Sequence, residues 1–158
     1  MDGTAMSDRY YDSLETRSAD QREQDLFQAL ARQLANAREN ASRYGALLRD
    51  VSPGDITSRE ALAALPLTRK SDLSALQAGG PPFGGLAATP MSDLARVFAS
   101  PGPIFEPEAH REDYWRTARA LYAAGFRRGD LVHNTFSYHF SPAGSMICLL
   151  YTSDAADE

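Results

Sequence analysis

Apolar positions along this chain recur first with a helical period and later with the shorter runs of strands. Phe27, Leu30, Leu34 and Ala37 fall on one helical face, with Arg32, Gln33, Arg38 and Glu39 between them. Asp20 followed by Glu23 has the spacing of a capping box. The pattern therefore predicts an amphipathic helix from about Asp20 to Tyr44, closed by Gly45. Pro53–Gly54 marks a turn. Thr57 and Glu60 repeat the capping spacing and open a short helix. Pro66 ends it near Leu65, because the residue before a proline avoids helical geometry. A third short helix is expected from about Arg69 to Gln77 with Thr68 as its cap, followed by an irregular loop rich in Gly and Pro through Gly85.

The period then changes. Leu94 to Ala99 reads as a strand, and Ser100 to Glu106 as a Pro/Gly loop. Pro107 suits the first turn of a helix, where a missing N–H costs nothing. Tyr114, Ala118, Leu121 and Tyr122 would continue that helix to Gly125, and Gly129–Asp130 would turn the chain into a second strand, Leu131 to His133. Strand, loop, helix and strand at this spacing predict a βαβ unit with parallel strands and a right-handed crossover. The expected class is α/β: a helical N-terminal arm over residues 1–80, then, over 81–147, the opening βαβ unit of an incomplete parallel sheet. A parallel sheet needs cover on both faces, and two strands are too few, so the chain reads as truncated.

Composition narrows the function. The apolar fraction is 43% and the charged fraction 23%, as in a globular domain. Net charge is −5 and the basic residues are scattered, which argues against a nucleic-acid partner. Met1 to Arg17 lacks the apolar stretch of a secretory signal, and no run approaches a membrane span. One cysteine, Cys148, permits no internal disulfide. The expected compartment is the cytoplasm, with no membrane partner.

In α/β sheets ligands bind beyond the carboxyl ends of the strands, which selects two segments. Ser100 to Glu106 would lie between a strand and a helix N-terminus, the place of a phosphate cradle. Against this, Pro101 and Pro103 lack a backbone donor, no Lys is present, and Glu106 and Glu108 add negative charge, so a rigid turn is the competing reading. In the second segment Phe136, Tyr138 and Phe140 alternate with Ser137 and His139. If extended, the aromatics share one face, as a wall for an aryl ligand or simply as core. His133 and His139 have no carboxylate or cysteine at ligand spacing, so no metal site is expected. His110 reads as a solvated helix residue and Trp115 as core. Ser145 lacks the elbow motif of a serine nucleophile, so no catalytic residue is assigned.

Taken in order, these residues resemble a family. Tyr10–Tyr11–Asp12, Leu65–Pro66–Leu67–Thr68–Arg69–Lys70–Ser71–Asp72–Leu73, Pro82–Phe83–Gly84, the loop at Ser100, and Gly129–Asp130–Leu131–Val132–His133–Asn134 with Tyr138 resemble phenylacetate–CoA ligases over roughly Tyr10 to Met146. The resemblance implies an adenylate-forming enzyme. Such an enzyme activates a small aryl or related carboxylic acid with ATP and Mg²⁺, then passes the acyl group to coenzyme A. Residues 81–147 would open its AMP-binding domain. Where the family carries a Ser/Thr/Gly-rich loop ending in Gly-Lys-Pro, this chain keeps Ser100, Gly102 and Pro107, which makes Ser100 and Gly102 candidates of a degenerate phosphate loop. By position, the resemblance implies Tyr138, then Phe136 and His139, as lining of the acid pocket. It leaves a homodimer open. The family's adenine, ribose and catalytic-lysine segments come later, so the chain alone is expected to be inactive.

Residues Cys148 to Glu158 depart from the family and resemble the forward translation of a transposase-based sequencing-library adapter. Two rival readings stand beside the ligase. One is a small helical interaction module without ATP chemistry, using the apolar face of its long helix. The other is a relative that has lost ATP chemistry and keeps only an aromatic ligand.

Overall fold

The computed structural model describes residues 9–100, 104–138 and 141–152, with side chains described as far as residue 147. A 3₁₀ turn at Ser13–Thr16 leads into the long helix α1, Ala19–Asn40. Ser18, rather than Asp20, is its cap: the Ser18 hydroxyl accepts from the Gln21 N–H, and the Gln21 carboxamide accepts from the Ser18 N–H. Asp20 lies inside the first turn, where its charge favours the positive helix end. Ala41 is extended, so the long predicted helix is broken into α1 and α2, Ser42–Leu47.

Ser58 caps α3, Arg59–Ala63, by accepting from the Ala61 N–H, which displaces Thr57 from the predicted role. The helix stops before Pro66. Thr68 does not cap the next element. Its hydroxyl is buried without a hydrogen-bond partner, and a 3₁₀ turn at Lys70–Asp72 precedes α4, Leu73–Gly79. Phe83, Gly84 and Gly85 follow in the left-handed region, a strained state for Phe83. The two glycines are required here. A Cβ on Gly84 would approach Leu76 to 3.0 Å, and one on Gly85 would lie 2.4 Å from the Ser42 hydroxyl. This turn thereby packs between α4 and α2.

The strands are β1, Leu94–Ser100, and β2, Ile104–Ala109. They form an antiparallel hairpin in which Ser100 faces Ile104 and Phe98 faces Glu106, with an irregularity at the Leu94 end. The mixed class with a helical arm is as expected, but two elements move. The predicted helix at Pro107 is a strand, because Ile104, Glu106 and Glu108 alternate inward with period two and Pro107 falls on an outward backbone position. The segment Leu131–His133 is not a strand: it pairs with no strand among the described residues, and Leu131 is fully exposed. The observed pair is therefore an antiparallel pair of consecutive strands, not a parallel pair across a helix.

One face of the hairpin is covered, with Phe98, Ile104 and Glu108 buried, while Val97 and Phe105 on the other face are about half exposed. Two short helices complete the described fold, α5 at Ala118–Ala123 and α6 at Ala143–Thr152. Asp113, itself at positive φ, caps α5 by accepting from the Thr117 and Ala118 N–H groups. Gly125 closes α5 at a φ of +100°, as the sequence pattern predicted. The N-terminal Tyr11–Asp12 pair docks on α5: Asp12 pairs with Arg119, and Tyr11 meets Tyr122 edge to face at 5.7 Å.

Candidate functional site

The hairpin places a buried carboxylate at its end remote from the turn. Glu108 stands directly across from Arg96 in the ladder and is 3% exposed. Its two oxygens are both engaged: Oε1 accepts from the Arg96 guanidinium at 2.6 Å, and Oε2 accepts from the Trp115 indole N–H at 2.6 Å. Trp115 packs against Phe98 at 6.2 Å and edge-on against Tyr114 at 5.3 Å. The Tyr114 hydroxyl donates to the Pro107 carbonyl at 3.0 Å. A buried charge is retained when it is paired and hydrogen-bonded, so this group locks the segment after β2 onto the hairpin face.

Arg96, Glu108, Tyr114 and Trp115, with Ser145 and Met146 from α6, surround a cavity of about 250 Å³. Sites that enclose drug-sized ligands run to roughly 300–1,000 Å³, so the cavity alone is small for such a substrate. A wider groove of about 790 Å³ runs between α1 and α3. Its wall carries the Glu23–Arg59 ion pair, and the Arg59 guanidinium holds the Glu23 carboxyl below the ordinary range. It offers no convergent reactive groups. Among the described residues no cluster of three or more His, Cys, Asp or Glu side chains is placed to hold a metal.

The aromatic segment is held by an asparagine. The Asn134 carboxamide donates to the Tyr138 hydroxyl at 2.8 Å and to the Gly144 carbonyl at 3.0 Å, and its oxygen accepts from the Phe136 N–H at 3.0 Å. A Cβ on Gly144 would lie 2.6 Å from the Ser137 carbonyl, so glycine permits the close packing of this segment on α6. Phe136 and Tyr138 are 55% and 48% exposed. They are not core: both rings present surface. His139 lies outside the described residues, as does Gly102. Ser100 ends β1 and is half-buried, at a hairpin turn rather than between a strand and a helix. His110 is exposed just after β2, not on a helix. Ser145 is buried on α6 beside the cavity.

α6 thus connects the two features, since Gly144 receives the aromatic segment while Ser145 and Met146 line the cavity. Sequence reasoning missed Glu108, Arg96 and Asn134. The signal for the first pair was present, because a strand reading of Ile104–Ala109 sets Glu108 opposite Arg96.

No protein-family model matches the chain. Curated relatives do. The chain is 31% identical over 142 residues to the phenylacetate-coenzyme A ligase of Pseudomonas putida, a match covering 84% of this chain and 31% of that protein. It is 35% identical over 118 residues to the phenylacetate-coenzyme A ligase of Aromatoleum evansii, covering 69% of this chain and 26% of that protein. A third, from Thermus thermophilus, is 33% identical over 124 residues, covering 73% and 27% respectively.

The chain is phenylacetate-coenzyme A ligase-like.

It spans about 26–31% of the length of these relatives. Among the described residues, no helix is long and apolar enough to cross a membrane.

Proposed function

We propose that this chain supplies the N-terminal part of an ATP-dependent carboxylate–coenzyme A ligase. The enzyme would activate phenylacetate or a related small acid as its acyl-adenylate and then transfer the acyl group to coenzyme A. The likeness to three phenylacetate-coenzyme A ligases over 69–84% of the chain carries this reading. We read residues 1–80 as its helical arm, residues 81–147 as the opening of its AMP-binding domain, and residues 148–158 as an adapter-derived tail. The enzyme is cytoplasmic in this reading, and its partner is a small carboxylic acid rather than nucleic acid or a membrane.

Within the chain, Phe136 and Tyr138 are assigned to the acid pocket. Their half-exposed rings and the Asn134 hydrogen bonds that hold them support this, because an aryl acid needs an apolar surface with a polar handle nearby. His139 is assigned with them by position only. Ser100 and Gly102 are assigned to the remnant of the phosphate loop.

The described residues around Ser100 do not fit a triphosphate. The described part of the turn offers one hydroxyl, that of Ser100, and no Lys or Arg. Pro103 and Pro101 lack an N–H, and the Phe105 N–H is already bonded to the Gln77 side chain at 2.7 Å. No step through ATP or Mg²⁺ is therefore assigned to these residues, and no described group is assigned to coenzyme A.

The test compares the 158-residue chain with the longer product read from its source locus through the codons after Met146. The longer product should release pyrophosphate from ATP only when an aryl acid is present, and should form the acyl–coenzyme A thioester. The short chain should do neither. Absence of acid-dependent pyrophosphate release from the longer product, across a panel of aryl acids, would remove the ligase reading.

A further inference from the structure

The outer edge of β2 is occupied by side chains. The Gln77 carboxamide accepts from the Phe105 N–H at 2.7 Å and donates to the Phe105 carbonyl at 3.0 Å. That is the two-bond pattern a residue of a neighbouring strand would supply. Two residues further on, Pro107 points its backbone the same way. It has no N–H to offer, and its carbonyl accepts from the Tyr114 hydroxyl. The backbone groups of β2 alternate between the two edges, so Phe105 and Pro107 are the outward positions of its central stretch. Both are closed, by different side chains, one from before β2 in the sequence and one from after it.

β1 differs. Ala99 and Val97 are the ladder partners of Phe105 and Pro107, so by the same alternation their N–H and C=O groups point to the other edge. No side chain among the described residues bonds them there. The support behind Gln77 is closely packed. Gly80 and Gly84 bring the following turn onto Leu76, where a Cβ at either position would lie within 3.0 Å of that residue.

We propose that Gln77 and Tyr114 are edge guards: together with Pro107 they replace a third strand on β2, fix the strand that leaves the Ser100 turn, and confine strand addition to the β1 edge. An unpaired edge is a template for pairing with another chain. Here the guards face the backbone with a carboxamide and a phenol instead of a charged or bulged edge. The proposal is independent of the ligase reading.

Amide hydrogen exchange on the 158-residue chain tests it, residue by residue. In the unaltered protein the Phe105 amide should be slowed at least tenfold against an unstructured peptide. Gln77→Leu should abolish that slowing while the inward amides of Glu106 and Glu108 keep theirs. Gln77→Glu, which retains an acceptor but sets a carboxylate against the Phe105 carbonyl, should fall between. Tyr114→Phe should shift the Pro107 carbonyl resonance and leave Phe105 protected. Retention of Phe105 protection in Gln77→Leu overturns the proposal. So does loss of protection at Glu106 and Glu108 together with Phe105 in both Gln77 variants, since Gln77 would then serve general packing rather than the edge. Pyrophosphate release by the longer product, measured separately, reports on the ligase reading alone.

Discussion

Glu108 shows how one residue changes meaning with its backbone. On a helix its charge would be solvated near the positive end. On a strand it turns inward, and its buried carboxylate needs both Arg96 and Trp115. Glu108→Leu should destabilise the chain by about 1–3 kcal/mol, because the indole N–H loses its acceptor in a half-buried site. Arg96 is 45% exposed and regains water, which limits the loss. Urea unfolding, with a red shift of the Trp115 emission, measures both effects. Unchanged emission would mean that the indole does not depend on Glu108. Asn134 is a second case. A polar residue between apolar ones gives no pattern of its own, so its three bonds to the aromatic segment and α6 were invisible in the sequence.

At the level of elements, the helices were legible in outline and displaced at their ends. Of the three expected caps, Asp20 and Thr57 lose to Ser18 and Ser58, because several residues in each stretch have suitable side chains, and Thr68 caps nothing. Ser18 wins over Asp20 since it alone sits where the chain is still extended and Gln21 lies at the reciprocal position. Ser18→Ala should cost about 1 kcal/mol and lower helicity by circular dichroism, whereas Asp20→Ala should leave the cap intact. Equal losses from both would return the cap to Asp20. The misread strand has a different cause. Pro107 suits the start of a helix, but a missing N–H is equally acceptable on an outward strand position.

At the scale of the whole molecule, ion pairs tie together segments that are distant in sequence. Arg59 grips Glu23 across the groove, and Arg119 grips Asp12 from 107 positions away. Each carboxyl is held below its ordinary range, first by the hydrogen bond from its arginine. Glu60 is lowered too, by its own backbone N–H and then by Ser58. A depressed carboxyl stabilises the fold above the unfolded pKa, roughly pH 4, and that contribution disappears as pH falls through the folded value. Acid should therefore loosen the arm. Asp12→Asn should lower stability near neutral pH and flatten the acid limb of a thermal-melting series. An acid limb unchanged in that variant would show that Asp12 contributes nothing to it.

The sequence by itself determined the local elements: an amphipathic arm, breaks at Pro53 and before Pro66, a first strand at Leu94, and the helix closed by Gly125, whereas Gly45, the expected stop of the arm, lies inside α2. Periodicity and backbone chemistry act within a few residues, so they can be read from one stretch at a time. It also carried the resemblance to the ligases, because five short motifs kept their order. The tertiary structure alone decided which segment became the second strand. A run such as Ile104–Ala109 suits a helix start or a strand, and the choice rests on pairing with Arg96, Phe98 and Gln77, which are distant in sequence or visible only once a register exists. Likewise, only the assembled fold could bring Asn134 to Tyr138 and Gly144, since that contact depends on where α6 lies.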